Sequence, residues 1–261
     1  MEIVVCIKQV PGTTEVKVDD RGNLIRDGID SKMNPYDLYA VESALKIKED
    51  KGWKVSVITM GPPQSEAVIR EAFMMGVDDG YLLTDRKFAG ADVLATSYTL
   101  SQGVKKTGNP QLIICGKQTT DGDTAQVGPE MAEYLGIPHV ANVKKIHEVK
   151  ENSIIVDLDM ATTLETVEIQ YPCLITVEKG IFQPRLPSYK KKKETIKKQI
   201  FTYSLKDLTD TDEVNYGASG SPTQVERIFP PDVNNDKEVW TGAGDDLGKR
   251  LFKKLVELKF M

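Results

Sequence analysis

The stretch Cys115–Pro129, CGKQTTDGDTAQVGP, follows the apolar run Leu112–Ile114 and leads into a helical pattern that ends at Leu135. A strand, a polar glycine-containing loop and a helix in this order are typical of the place where open α/β sheets bind nucleotides. The reason is geometric, because loop N–H groups and the positive end of the helix dipole point the same way. A capped turn without a ligand has the same pattern, so both interpretations stay open. A calcium loop fits poorly, since no bidentate Glu follows Asp121 and Asp123 at the required distance.

The helix after this loop is predicted to begin near Ala125 or Gln126, because Pro129 lacks an N–H and fits only in a first helical turn. Thr124 or Asp123 is then the predicted cap. Glycines allow close approach of a ligand, and short polar side chains suit ribose hydroxyls or phosphate oxygens. Carboxylates favour a phosphate site only if they bond hydroxyls or cap the helix. The loop residues with these properties are Gly116, Thr119, Thr120, Asp121, Gly122, Asp123 and Gln126.

Length and composition limit the class of protein. The 261 residues, 40% of them apolar, suffice for one large domain or one domain with appendages. A net charge of −5 gives no support to nucleic-acid binding. No apolar run approaches the roughly 20 residues of a membrane span, and the chain opens directly on a strand, so we expect a cytoplasmic protein without membrane insertion.

The cysteines and histidines predict no metal site. Cys6, Cys115 and Cys173 each lie within or beside an apolar run, which favours buried reduced thiols over a disulfide. His139 and His147 have no matching ligands and are expected at the surface or in loops.

The first half of the chain alternates strands and helices, which predicts a doubly wound, mostly parallel sheet of the Rossmann-like, three-layer α/β class. A small hairpin over Val16–Ile25 interrupts this alternation. The predicted strands are Ile3–Val10, Val55–Thr59, Gly80–Leu83 and Leu112–Cys115. The predicted helices run from the cap Asn34 to about Asp50, through Val68, Ala72 and Met75, and over Ala91–Thr107.

The second half changes pattern. Period-two alternation predicts an antiparallel addition over Val140–Val149, Ile154–Met160 and Thr166–Tyr171, before the apolar strand Cys173–Val177. Ile181–Gln199 is irregular and rich in lysine. We divide the chain into an α/β domain (1–200), a linker (201–231) and a C-terminal arm (232–261). The arm's helix, over Gly242–Met261, carries a leucine stripe that needs a partner surface in its own domain or on another chain.

The order and spacing of these motifs resemble the beta subunit of electron-transferring flavoproteins over nearly the whole chain. The motifs are VCIKQVP (5–11), MNPYD (33–37), GPP (61–63), IREAFMMGVDDG (69–80), GKQTTDGDTAQVGP (116–129), PCLITV (172–177), QPRLPS (183–188) and GSPT (220–223). The resemblance implies an α/β nucleotide-binding subunit that pairs with an alpha subunit. It implies no catalytic residue. The implied nucleotide site consists of Cys6, Asn34, Asp37, Met60, Gly116, Gln118, Thr119, Thr120, Asp121, Gly122, Asp123, Thr124, Ala125, Gln126 and Val127. For Asn34, a plain helix cap is an equally simple explanation.

Two kinds of family member differ in their cofactor. Those that relay electrons carry AMP in this subunit, whereas those of anaerobes that bifurcate electrons carry a second FAD and take hydride from NADH. The version DGDTAQVGP at 121–129 resembles the bifurcating group, and Gly122 offers room for a diphosphate, so we expect FAD rather than AMP. The implied acceptors are ferredoxin or flavodoxin and, through the alpha-bound FAD, an acyl-CoA-type or other flavin-dependent dehydrogenase. NADH oxidation is then a property of the heterodimer, and this chain alone is a carrier subunit.

The segment after Pro184–Arg185 departs from many family members, because it runs directly into lysines. Leu186 and Tyr189 are the candidate residues for docking the dehydrogenase. A nucleotide-binding stress-type module would explain only the first half of the chain. An adenine-nucleotide hydrolase would need a glycine-rich loop after the first strand, but residues 8–12 contain a single glycine.

Overall fold

The computed structural model describes residues 1–12, 31–226 and 237–261. Its strands are β1 (Glu2–Cys6), β2 (Gln9–Pro11), β3 (Ser31–Met33), β4 (Lys54–Met60), β5 (Asp79–Leu83), β6 (Leu112–Gly116), β7 (His139–Val149), β8 (Ser153–Asp159), β9 (Leu164–Gln170), β10 (Cys173–Val177) and β11 (Phe201–Tyr203). Its α-helices are α1 (Pro35–Lys51), α2 (Glu66–Met75), α3 (Val93–Thr107), α4 (Val127–Leu135), α5 (Tyr189–Thr195) and α6 (Gly244–Glu257). The predicted hairpin over Val16–Ile25 lies outside the described residues.

Among the described residues, nine strands form one sheet in the order β11-β5-β4-β1-β6-β10-β7-β8-β9. The pairs from β11 to β7 are parallel, and β7-β8 and β8-β9 are antiparallel. The central strands are short runs rich in Val and Ile because both of their faces are covered. The predicted parallel sheet with an antiparallel addition is confirmed.

Helices cover both faces of the sheet and make a three-layer structure. Alternate side chains of β1 point to opposite faces, so Val5 packs in the layer of α1 and α2, whereas Val4 packs in the layer of α3 and α4. In the first layer Val41 and Phe73 are buried, and in the second layer Met131 is fully buried. This arrangement brings the first turns of α1 and α4 to the same edge of the sheet from opposite faces.

Several boundaries differ from the sequence prediction. The strand predicted over Ile3–Val10 is divided into β1 and β2, and β2 pairs with β3 in a separate antiparallel sheet. Helix α3 begins at Val93 because the side chain of Asp92 accepts the Ala95 N–H and caps it there. His139 and His147 were expected at the surface or in loops; both lie in strand β7, where His147 is exposed and His139 is partly buried.

Segments predicted as irregular are partly ordered. The stretch 181–199 contains helix α5. Strand β11 joins the sheet beside β5, and the Phe201 ring stacks on Tyr81 with centroids 5.3 Å apart. Leu205 and Tyr216 are buried as well. Residues 201–216 therefore pack on the α/β domain, and the predicted start of the linker at residue 201 is wrong. The division of the chain into a domain and a C-terminal arm stays a prediction.

The three cysteines are free and buried, as predicted. Helix α6 has no buried residue; Leu251 in the helix and Leu258, its C-cap, are 51% and 53% exposed. Among the described helices, none is long and apolar enough to cross a membrane.

Candidate nucleotide-binding site

Strands β1 and β6 lie side by side in the sheet, with Cys6 opposite Cys115. From β1 the chain continues to β4 on one side, whereas from β6 it continues toward β10 and β7 on the other. Adjacent parallel strands whose connections leave in opposite directions form a switch point, and a crevice opens beyond their carboxyl ends. The residues after β1 and the loop 117–126, the β6–α4 loop, both begin at this crevice. The loop singled out from the sequence thus starts where such sheets bind ligands.

The side chain of Asn34 connects the start of α1 to the β6–α4 loop. Its Nδ2 donates to the carbonyl oxygen of Gln118 at 2.9 Å and to Asp37 Oδ1 at 2.8 Å. Its Oδ1 accepts the N–H of Thr120 at 3.2 Å. Asn34 makes no side-chain bond to the N–H groups of its own helix. The side chain therefore fixes the loop, and the plain-cap explanation for this residue is wrong.

Two glycines of the motif have different surroundings. A Cβ on Gly116 would lie 2.5 Å from Asp37 Oδ1 and 2.7 Å from the backbone carbon of Tyr36. A side chain at this position would push α1 away from β6. A Cβ on Gly122 would meet one neighbour, Thr119 Oγ1, at 3.3 Å. Space beside Gly122 is therefore open within the described chain, as close approach of a ligand to the backbone requires.

The end of the β6–α4 loop presents unprotected helix N–H groups. The helix begins at Val127 with Gln126 as its N-cap, and no side chain of the described residues caps it, so the predicted caps Thr124 and Asp123 are wrong. Ala125 has a left-handed backbone, φ 57°, and Gln126 returns to the right-handed region. Such alternation turns successive N–H groups to one side and makes an anion-binding concavity. A non-glycine residue in the left-handed region costs about 1–2 kcal/mol of conformational free energy. The conformation of Ala125 therefore suggests a functional role for this turn.

Asp37 is the buried acid of the site, 5% exposed. Its Oδ2 accepts the Lys8 N–H at 2.7 Å, and its Oδ1 accepts from Asn34. Burial raises the pKa of Asp37 to about 7, against the lowering effect of these hydrogen bonds and of the Lys8 ammonium. The carboxyl is therefore only partly charged near neutral pH.

Asp121 and Asp123 lie at the loop surface. The Lys8 ammonium lies 2.8 Å from each carboxylate oxygen of Asp121. Burial acts to raise the pKa of Asp121, but bonds from Lys8 and Thr119 outweigh it and the pKa is lowered. Asp123 accepts a hydrogen bond from the Gln118 side chain, and its N–H donates to the Thr119 carbonyl at 3.0 Å. The two carboxylates thus stabilise the loop itself. This role explains why acidic residues occur in a loop that is a candidate phosphate site.

The remaining predicted residues reach the same edge from the core. Cys6 packs under α4, with Sγ 3.9 Å from the sulfur of Met131. Met60 ends β4, and Val127 begins α4; both are partly buried against the same cluster. The thiol of Cys6 therefore lies in the core, below the polar loop. A hydrogen bond with Cys6 and burial raise the pKa of the Cys115 thiol, which keeps it protonated and unreactive.

The predicted docking residues lie away from this site, on the outer surface of the α1 and α2 layer. Leu186 is 87% exposed and Tyr189, the first residue of α5, is 70% exposed. Between α1 and these residues, Arg185 makes an ion pair with the buried Glu42, its Nε and Nη2 each donating at 2.8 Å to one carboxylate oxygen. Leu186 is thus exposed to solvent directly beside Arg185, which this ion pair holds in place.

A groove of about 800 Å³ opens at the opposite edge of the sheet, next to Asn109, Gln111 and Tyr171. It lies at the amino ends of the parallel strands. Because open sheets bind ligands beyond the carboxyl ends of their strands, the β6–α4 loop is the better candidate for a ligand site than this groove.

Comparison with known proteins gives matches over most of the chain. The electron transfer flavoprotein domain model matches residues 22–207. The electron transfer flavoprotein subunit beta of Clostridium acetobutylicum is 44% identical over 240 residues, 92% of both chains. The subunit beta of Thermoanaerobacterium thermosaccharolyticum is 41% identical over 256 residues, 98% of both chains. Subunit CarD of the caffeyl-CoA reductase-Etf complex of Acetobacterium woodii is 42% identical over 260 residues, 98% of both chains.

A nucleotide-binding α/β subunit is therefore the class that the fold and the site define. The chain belongs to the electron transfer flavoprotein family, and the relatives named above support the function of a beta subunit. The family resemblance predicted from the sequence motifs is confirmed.

Lys8 is the site residue that sequence reasoning missed. It lies two residues after the end of β1, in a segment whose sequence was considered only for its glycine content. A basic residue shortly after the first strand of a doubly wound sheet was the available signal, because that strand borders the switch point.

Proposed function

We propose that this chain is the beta subunit of an electron-bifurcating heterodimer and that its β6–α4 loop binds FAD. The observation that carries the proposal is the uncapped start of α4 behind the left-handed Ala125, which offers several backbone N–H groups to an anion. AMP would use the same N–H groups. FAD is favoured over AMP because the backbone at Gly122 is open, as a second phosphate passing close to it requires.

The residues present fit a flavin nucleotide. Asn34 holds the loop at Gln118 and Thr120, and Gly116 lets α1 approach the loop closely. Bound FAD would supply two-electron uptake from NADH and one-electron transfer to separate acceptors. The chain's own part is to bind, orient and shield. No acid, base or nucleophile is assigned to it.

Partner binding divides between two surfaces in this proposal. The exposed leucine stripe of α6 docks on the alpha subunit, because an apolar face of this kind needs cover. Leu186 and Tyr189 contact the dehydrogenase, and the neighbouring lysines steer an acidic partner surface toward them. The name of the Acetobacterium relative, which refers to a caffeyl-CoA reductase complex, supports an acyl-CoA-type dehydrogenase. Ferredoxin or flavodoxin is the second acceptor, and the complex acts in the cytoplasm.

The test uses the chain produced together with its alpha subunit. Denaturation of the purified complex, followed by chromatography of the released cofactors, should give two FAD per heterodimer and no AMP. Anaerobic mixing with NADH should bleach the flavin rapidly. One FAD with one AMP, and no reduction by NADH while a reduced acyl-CoA dehydrogenase still donates electrons, would establish the relaying alternative instead.

A further inference from the structure

Lys8 connects the first strand to the tip of the β6–α4 loop. Its N–H donates to Asp37 Oδ2 at 2.7 Å, and its ammonium donates to both oxygens of Asp121 at 2.8 Å. The side chains of Lys8 and Asp121 are 44% and 34% exposed. The backbone of Lys8 is thus fixed by a buried group, whereas its charged end is accessible at the mouth of the crevice.

A cation beside the loop would strengthen phosphate binding by its backbone N–H groups, because three carboxyl groups lie nearby. Asp37, Asp121 and Asp123 would all repel an anion, and Asp37 is only partly charged near neutral pH. Lys117, at the base of the loop, is paired at 2.6 Å with Glu178. The Lys8 ammonium is paired with Asp121, which lies in the loop itself.

A lysine ammonium has three N–H donors, and two of those of Lys8 are used by the two oxygens of Asp121. Within the described part of the chain the third donor has no partner, so it can reach an oxygen of a ligand. The flexible four-carbon stem lets the ammonium move toward a phosphate without displacing the backbone. In this arrangement Asp121 holds the Lys8 ammonium beside the β6–α4 loop.

We propose that Lys8 binds a phosphate of the nucleotide at this site, with Asp121 positioning its ammonium. The proposal rests on the proposed nucleotide-binding function and adds a residue to it. A structural alternative is that Lys8 only ties the end of β1 to the loop.

The experiment measures calorimetric binding of AMP and of adenosine to the purified heterodimer after removal of its bound nucleotides. The variants are Lys8→Met, Lys8→Arg and Asp121→Asn. Lys48→Met is the matched control, because Lys48 makes a similarly exposed ion pair, at 2.5 Å with Asp78, outside the crevice. Near-ultraviolet circular dichroism checks that each variant is folded.

If Lys8 binds phosphate, Lys8→Met weakens AMP binding about tenfold or more, the loss of one charge-assisted hydrogen bond, and changes adenosine binding less than about threefold. Lys8→Arg keeps most of the AMP affinity, and Asp121→Asn weakens AMP binding less than Lys8→Met because the ammonium remains. Lys48→Met changes neither ligand's affinity.

Equal losses for AMP and adenosine in Lys8→Met would overturn the proposal and leave Lys8 as a structural tie. Unchanged binding of both ligands would overturn it as well. If the wild-type complex bound neither ligand, the nucleotide site itself would be refuted together with Lys8, so the two failures are distinguishable.

Discussion

Replacing Arg185 with Met would leave the Glu42 carboxylate without its guanidinium partner, at a position that is 2% exposed. Arg185 donates to Glu42 from its backbone N–H at 3.0 Å and from Nε and Nη2 at 2.8 Å, and its Nη1 donates to Glu49 at 2.7 Å. Removing one partner of a buried ion pair typically costs about 3–5 kcal/mol. Because Arg185 is 30% exposed and water can partly replace it, we expect the lower end, about 3 kcal/mol.

Urea unfolding at pH 7 measures this loss as a change in the free energy of unfolding, and thermal unfolding should show a decrease of roughly 6–12 °C. Glu49→Gln is the control, because it breaks the exposed arm of the same network and should cost less than about 1 kcal/mol. The double variant Arg185→Met/Glu42→Met should recover most of the loss, since no buried charge remains. A cost below about 1 kcal/mol for Arg185→Met alone would refute the reasoning.

Four further predictions concern the site and the two partner surfaces. Gly122→Val should lower the FAD content of the heterodimer from two to one without unfolding the chain, because the added side chain lies in the ligand's space and its one close neighbour among the described residues is the Thr119 hydroxyl, at 3.3 Å; loss of both flavins would point to misfolding instead. Truncation after Pro231 should leave a folded chain that assembles more weakly with the alpha subunit in size-exclusion experiments, and normal assembly would show that α6 does not dock there. Leu186→Ala with Tyr189→Ala should slow electron transfer to the dehydrogenase while NADH still reduces the flavin, whereas changing the lysines should alter mainly the salt dependence of the rate. Asp37→Asn should flatten the pH dependence of stability between about pH 4 and 7. The pKa of Asp37 is higher in the folded chain than in the unfolded one, so its contribution to stability is present at low pH and is lost, by up to about 1.4 kcal/mol per pH unit, as the pH rises to about 7. Identical pH profiles of the variant and the wild type would contradict this assignment.

The parallel sheet could be predicted from the sequence because its strands carry their own signal. Strands covered on both faces are runs of Val and Ile, and the antiparallel strands alternate because one face is more exposed. The start of α1 followed from Asn34 and Pro35, which favour a helix start through local geometry alone. The loop after β6 was recognised from its position between strand and helix.

The features that escaped prediction depend on contacts between distant parts of the chain. Strand β11 has three residues, too few for a periodic pattern, and exists because Phe201 stacks on Tyr81. The ion pairs of Lys8 with Asp121 and of Arg185 with Glu42 join residues 113 and 143 positions apart. The cap of α4 was predicted from residue type, but the left-handed Ala125 takes the chain into the helix without one. Alanine gives no local signal for this conformation.

Helix α1 and its N-cap hold two other segments of the chain at different points along the helix. Its first residues hold the β6–α4 loop through Asn34 and Asp37, and Glu42, in its middle, holds Arg185. An insertion of one residue between Asp37 and Glu42 would rotate Glu42 by about 100° and move it about 1.5 Å along the axis, which takes the carboxylate out of reach of Arg185. The number of residues between these two acids is therefore restricted in a way that loop lengths are not. We expect related chains to have no insertions or deletions in this part of α1.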